Sequence, residues 1–110
     1  MNTVRETAEV RTDAFALAEF FKCFSDPTRI RILSLLSEGE KCVCDIASEL
    51  DMNPSAISHQ LNLLRKSRLV RTRRNGKSVY YELIDGHVRE LLTCGLSHIS
   101  EGEPGVDYGY

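Results

Sequence analysis

The sequence predicts a mainly α-helical domain carrying one β-hairpin, and three observations lead to that class. Apolar residues recur at helical spacing through most of residues 13–69. Two short helical segments, 43–50 and 54–69, are separated only by the break DMN, which matches a helix-turn-helix. The run LVRTRRNGKSVYYEL then sets two segments rich in β-branched and aromatic residues on either side of Asn75-Gly76, a strong hairpin signal. A hairpin that follows a helix-turn-helix and bears cations at its tip is a wing, so the class is a winged helix-turn-helix.

Each element has its own justification. Residues 13–24 (DAFALAEFFKCF) place Phe15, Leu17, Ala18, Phe20, Phe21 and Phe24 in a helical pattern behind Asp13 as a cap. Asp26-Pro27 starts a second helix, with Asp at the cap and Pro in the first turn. Its residues Ile30, Ile32, Leu33, Leu35 and Leu36 suit a buried segment, and Gly39 ends it. VCDIASEL at 43–50 is a short third helix. The fourth begins at Pro54, with Ile57, Leu61, Leu64 and Leu69 facing inward. A last helix covers 85 to about 100. Residues 1–12 read as a flexible N-terminal arm, 13–101 as one winged helix-turn-helix domain, and 102–110 as a flexible tail.

At 110 residues the chain is near the size where pairing with a second copy helps to complete a core. It has no apolar run long enough to span a membrane and no apolar stretch near the N-terminus of the kind a signal peptide needs, so a cytoplasmic protein without membrane partners is expected. There the four cysteines, Cys23, Cys42, Cys44 and Cys94, would be reduced, leaving ligand, redox or packing roles. Cys23, amid FFKCFSD, reads as structural.

The net charge of −2 argues against a nucleic-acid partner, but its distribution reverses that. Residues 52–81 hold Arg65, Lys66, Arg68, Arg71, Arg73, Arg74 and Lys77 and no acid. A basic segment inside an acidic chain is an electrostatic footprint confined to one surface. The plainer alternative, a solvated basic face, is outweighed by the adjacent helix-turn-helix and hairpin. The recognition helix opens with Ser55, Ser58, His59 and Gln60, at the end that meets base edges in this motif. Gln60 suits adenine, while Arg65, Arg71, Arg73, Arg74 and Lys77 suit the sugar-phosphate backbone of double-stranded DNA.

The stretch DGHVRELLTCGLSHISE at 85–101 sets a puzzle. On one helix His87 and His98 differ by only ~20° in direction yet stand ~16 Å apart along the axis. Metal bonds are ~2 Å long, so the two cannot share an ion within one chain. An enzyme reading built on Asp85 and His87 fails on scale: there is no nucleophile motif, no phosphate loop and little length for a substrate pocket.

SDPTRIRIL, CVCDIA, SAISHQLNLLRKSRLV and RRNGKSVYYEL, in that order, resemble the ArsR/SmtB family of metal-responsive repressors over about residues 14–101. The resemblance implies a homodimer joined by its outer helices, bound to operator DNA when metal-free and released by an inducer. Two last helices packed antiparallel would set Asp85 and His87 of one subunit against His98 and Glu101 of the other, with the two-fold axis near residues 92 and 93. Val88, Leu92, Gly95, Leu96 and Ile99 are expected to supply the helix contact. The pattern Asp-x-His, ten residues, His-x-x-Glu matches the inter-subunit site of the family's zinc sensors. Two imidazoles and two carboxylates suit Zn(II), with Co(II) close behind.

Cys42, Cys44 and Asp45 resemble the family's other sensor motif, whose soft thiolates favour Cd(II), Pb(II) or As(III). That set is incomplete here, because the matching third position is Ala47 and residues 1–13 contain neither Cys nor His. Cys94 lies on the same face as the two histidines and next to the expected axis, which leaves a redox-responsive repressor as another alternative. A purely structural zinc dimer uses the same ligands as the sensor and differs only in whether metal changes DNA affinity.

Overall fold

The computed structural model describes residues 8–101, in the order α1 (Ala8–Lys22), α2 (Pro27–Leu36), α3 (Val43–Leu50), α4 (Pro54–Lys66), β1 (Val70–Asn75), β2 (Ser78–Leu83) and α5 (Gly86–Ser100). It is the expected winged helix-turn-helix. Residues 1–7 of the anticipated arm and the tail at 102–110 lie outside the described residues. None of the helices described is long and apolar enough to cross a membrane.

Local chemistry explains most of the boundaries. Asp26 caps α2, its carboxylate accepting from the Arg29 N–H at 3.0 Å, and Pro27 occupies the first turn where a missing N–H costs nothing. Ser37 closes that helix, and Gly39 two residues on takes φ 148°, a conformation side chains resist. α3 ends where Asp51 turns left-handed (φ 54°) and Met52 N–H returns to the Ala47 carbonyl at 2.9 Å. Asn53 then caps α4, accepting from Ser55 N–H at 2.7 Å. At the far end Arg68, also left-handed (φ 61°), lets Leu69 N–H reach the Leu64 carbonyl at 2.9 Å. Both helices thus close with the same reversal although neither has glycine there.

Three details depart from the sequence reading. α1 begins at Ala8, so Asp13 lies inside the helix and caps nothing. The hairpin turn is Gly76-Lys77, one residue beyond Asn75-Gly76: Asn75 still pairs with Ser78, and Gly76 (φ 64°) takes the first turn position. A positive φ there alone is the pattern of a type II′ turn, which wants glycine first. Finally, Lys41 forms a one-residue bridge to the wing, exchanging backbone hydrogen bonds with Tyr81 at 3.0 and 2.8 Å.

The core is the meeting of α2, α3, α4, the base of the wing and the first half of α5. Ile32, Leu33, Ile46, Ile57, Leu61 and Leu64 are all fully buried. Among the described residues, the last turn of α1 and the turn after it reach this core, with Phe20, Cys23 and Phe24 packed on its edge. Phe15 and Leu17 remain 69% and 55% exposed, and on α5 Leu96 and Ile99 remain 55% and 71% exposed. Val88 and Leu92 do not join that exposed set: at 2% and 7% exposure they belong to the chain's own core. The expectation that they serve a helix contact with a second copy is therefore corrected. α5 has two adjacent apolar faces, and the one containing Val88 and Leu92 is already used.

Candidate nucleic-acid interface and metal half-site

Ile57, Leu61 and Leu64 anchor α4 inward, and helical geometry fixes what its opposite face must carry. Ser55, His59, Asn62 and Lys66 recur there at i, i+4, i+7 and i+11, and all are exposed. Because Asn53 takes the cap, the Ser55 hydroxyl is spared that duty. Ser58 is half-buried at the flank and Arg65 is exposed. Asn62 and Lys66 extend the face, although the small polar residues at the start of the helix do not point to Asn62 and charge alone marks Lys66 only as part of the basic segment. A projection about the Ile57–Leu64 axis finds both. Gln60 sits differently: it is half-buried, and its Oε1 accepts from Arg29 Nη1 at 3.3 Å.

The wing cations divide by face. Arg71 and Arg73 share one face, opposite Glu82 and Tyr80 in register. Arg71 Nε donates to Glu82 Oε2 at 3.0 Å. Arg73 is held by both oxygens of Glu40, with Nε on Oε2 at 2.8 Å and Nη2 on Oε1, and its guanidinium lies over the Tyr80 ring at 5.7 Å. These bonds hold the Glu40 carboxyl below its ordinary range, the Arg73 hydrogen bond foremost, against a smaller opposing effect of burial. Arg74 and Lys77 are exposed and form no ion pair among the described residues.

At the N-terminus of α5, Asp85 uses its two carboxylate oxygens separately. Oδ1 caps the helix by accepting from His87 N–H at 2.9 Å, and Oδ2 stands 3.3 Å from His87 Nδ1. Partial desolvation pushes the Asp85 carboxyl up, but the hydrogen bonds from the His87 side chain and from the His87 and Val88 N–H groups outweigh it and hold it below its ordinary value. His98 and Glu101 are exposed at the other end of the helix. Among the described residues of one chain no three His, Cys, Asp or Glu side chains come together.

Cys42 occupies the cap position of α3, half-buried and making no side-chain cap bond, while Cys44 and Asp45 are exposed in the first turn. Cys23 is half-buried with its thiol 3.8 Å from the Glu19 carbonyl, and Cys94 is exposed.

Residues 26–72 match the profile of the bacterial regulatory proteins of the arsR family. A transcriptional repressor SmtB homolog of Synechocystis sp. is 46% identical over 87 residues, covering 79% of this chain and 66% of that protein. A cadmium resistance transcriptional regulatory protein CadC homolog of Staphylococcus aureus is 42% identical over 86 residues, covering 77% of this chain and 71% of that one. Among solved structures, the homodimeric winged helix-turn-helix DNA-binding domain of Mb0332 from Mycobacterium bovis, a possible ArsR-family regulator, superposes with a TM-score of 0.78 at 26% identity, covering 100% of both chains. Fold, reading helix and kinship agree, and the chain belongs to the ArsR/SmtB family of metal-responsive transcriptional repressors rather than to any class of enzyme.

Proposed function

We propose that the protein binds operator DNA as a homodimer in its metal-free state and is released when Zn(II), or next best Co(II), is held between two α5 helices. The observation that carries this reading is the Asp85–His87 pair. Two zinc ligands with bonds of ~2.0–2.1 Å at a tetrahedral angle lie about 3.3 Å apart. Asp85 Oδ2 and His87 Nδ1 stand at 3.3 Å. The bond from His87 N–H to Oδ1 fixes the carboxylate in that pose, as outer hydrogen bonds orient metal ligands elsewhere. The donor chemistry, one imidazole and one carboxylate per half-site, fits the ion. The other half of the site is assigned to His98 and Glu101 of the partner subunit.

The dimer itself is supported by the apolar surface left open on one copy. Phe21, Phe24, Leu91, Leu96 and Ile99 line a groove of about 290 Å³ between the end of α1 and α5. Side chains of this size left in water are unusual unless a partner covers them. His87, Leu91, Cys94, His98 and Glu101 fall on one line along α5, at i, i+4, i+7, i+11 and i+14, so an antiparallel partner would bring opposite ends of that line together.

In this reading Ser55, Ser58, His59 and Asn62 approach base edges, and Arg65, Lys66, Arg74 and Lys77 meet phosphates. Bound zinc would tie the two α5 helices and hence the angle between the two reading heads. The test is an operator titration at fixed salt, with and without zinc, since phosphate contacts make affinity steeply salt-dependent. Operator affinity that falls on zinc loading supports the repressor; affinity that stays level while the dimer becomes more stable makes the ion a structural staple.

A further inference from the structure

We infer that Arg29 is a strut fixing the recognition helix α4 to α1, and that Gln60 is its anchor on α4, a positioning residue and not a reader of bases. Arg29 stands in the first turn of α2, where its own N–H is taken by the Asp26 cap. Its half-buried side chain spans two further helices. Nε donates to the Cys23 carbonyl at 3.1 Å, and Nη1 donates to Gln60 Oε1 at 3.3 Å. The carbonyl lies just past the end of α1, where a helix leaves acceptors without internal partners and concentrates its negative dipole end. The guanidinium is planar and rigid, so the two donors keep a fixed relation. One group therefore holds the ends of α1 and α2 and the middle of α4.

This strut spans a gap that packing leaves open. A cleft of about 450 Å³ lies between α1 and α4, with Ala16 and Phe20 on one wall, Leu63 and Ser67 on the other, and Arg29 along it. Where apolar contact is sparse, a charge-assisted hydrogen bond carries the relative orientation. Gln60 is suited to this task and poorly placed for reading. It falls beside the Ile57–Leu64 core line, away from the exposed line of Ser55, His59 and Asn62. Adenine recognition uses both ends of the carboxamide, the oxygen toward N6 and the amide toward N7. The oxygen of Gln60 is already engaged by Arg29.

The inference rests on the proposed function, in which α4 reads DNA and α1 contributes to the subunit contact. It follows that the tilt of each reading head is set from the dimer face through Arg29. The experiment compares wild type, Gln60→Glu, Gln60→Ala and Arg29→Lys in the full chain. Affinities are measured for operator and random duplex at one salt concentration without metal, and amide exchange is measured without DNA. Glutamate keeps an acceptor for Arg29 but loses the amide that adenine needs.

Gln60→Glu is therefore expected within about twofold of wild type on operator, and Gln60→Ala roughly tenfold weaker, the order expected for losing a hydrogen bond to a charged group. The Gln60→Ala loss should be spread over all operator positions, with random-duplex affinity held, which mere unfolding would not do. Amide exchange should accelerate in Gln60→Ala and Arg29→Lys at both α4 and residues 20–24, and stay level in Gln60→Glu. Equal operator losses for Gln60→Glu and Gln60→Ala, confined to one base pair, overturn the strut and make Gln60 a base reader. Exchange unchanged in Gln60→Ala also overturns it, and this readout holds even if the wild type were to show no operator preference, a result that would count against the proposed function instead.

Discussion

Arg73 of the wing and Glu40 of the loop before α3 form a two-pronged ion pair, with Nε on Oε2 at 2.8 Å and Nη2 on Oε1. The residue after Glu40 continues the same attachment by its backbone, since Lys41 and Tyr81 exchange hydrogen bonds at 3.0 and 2.8 Å. One side chain and one peptide thus dock the hairpin on the helical body. Arg73, which by sequence alone is a free cation for phosphate, is already matched by a carboxylate. Among the described residues, the wing cations without an ion-pair partner are Arg74 and Lys77, toward its tip.

That division predicts unequal salt dependence. Arg74→Ala or Lys77→Ala should each flatten the slope of log affinity against log salt by about 1, the effect of one lost phosphate contact. Arg73→Ala should flatten it less, and Glu40→Gln should steepen it by releasing the guanidinium. Slopes measured on a random duplex isolate this effect from base reading. If Arg73→Ala flattens the slope as much as Lys77→Ala, the Glu40 pair opens on DNA and Arg73 is a phosphate ligand after all.

The same pair makes a pH prediction. The Arg73 hydrogen bond, followed after the opposing effect of burial by the Arg73 charge, lowers the Glu40 pKa in the folded chain. A depressed carboxyl contributes its stabilisation fully above its unfolded value and loses it as pH falls through the folded value. Wing docking should therefore persist through the ordinary carboxylate range and weaken only below it. A carboxyl NMR titration should give Glu40 a midpoint below that of ordinary glutamates, returned to normal by Arg73→Ala. A normal midpoint in the wild type would mean that the pair is not populated in solution.

Much of the scaffold was legible because it is written in local chemistry. Asp26-Pro27 marks the start of α2, Pro54 that of α4, and Gly76 the hairpin. The start of α1 was not, since Asp13 resembles a cap while AEVRT before it continues the helix without an apolar stripe. Lys41 pairs as a single residue, and one residue has no periodicity to read. In the candidate site, His87, His98 and Asp85 were visible as spacing, but α5 carries two neighbouring apolar faces. Spacing gives directions around a helix and cannot say which face its own core takes, which is why it sends Val88 and Leu92 to a second copy when they pack in their own core. Glu40–Arg73 and Arg29–Gln60 join residues 33 and 31 positions apart, and no local pattern reports such pairs.

The open faces of α1 and α5 predict the effect of a charge placed there. Ile99 is 71% exposed in one copy. If a partner covers it, Ile99→Asp must bury a carboxylate twice per dimer and should weaken dimerisation by roughly 100-fold or more. Sedimentation at micromolar concentration should then show monomers whose circular dichroism spectrum matches wild type, because Ile99 takes no part in the core of its own chain. An unchanged dimer would place the subunit contact elsewhere.

The two candidate metal sites make opposite predictions. With Asp85 and His87 as one half-site, His98→Ala should weaken zinc binding by roughly two orders of magnitude, and binding should saturate at one ion per subunit. Cys42→Ser should leave zinc affinity near wild type, since Cys42 and Cys44 lack a third thiol or imidazole beside them among the described residues. Loss of binding in Cys42→Ser with retention in His98→Ala would transfer the sensor to the thiols.

The final prediction concerns how metal occupancy reaches DNA. An imidazole that ligates through one nitrogen keeps the other as an N–H donor of fixed direction. Just past the end of α4 the Arg68 carbonyl accepts no hydrogen bond among the described residues, at the left-handed turn of φ 61°. A bond from His98 to that carbonyl would couple α5 to the reading helix and hold the two heads off the ~34 Å spacing of successive major grooves. Coupling of ~1–3 kcal/mol is usual for such linkage, so zinc should weaken operator binding about 5- to 150-fold. Reciprocity then requires operator DNA to weaken zinc binding by the same factor. Replacing His98 by an N-methylated histidine that still ligates but cannot donate should keep metal affinity and abolish the coupling. Zinc affinities measured on the free and the operator-bound dimer decide it: a difference in wild type that vanishes in the methylated protein establishes the route. Equal affinities in wild type would leave the ion without influence on DNA.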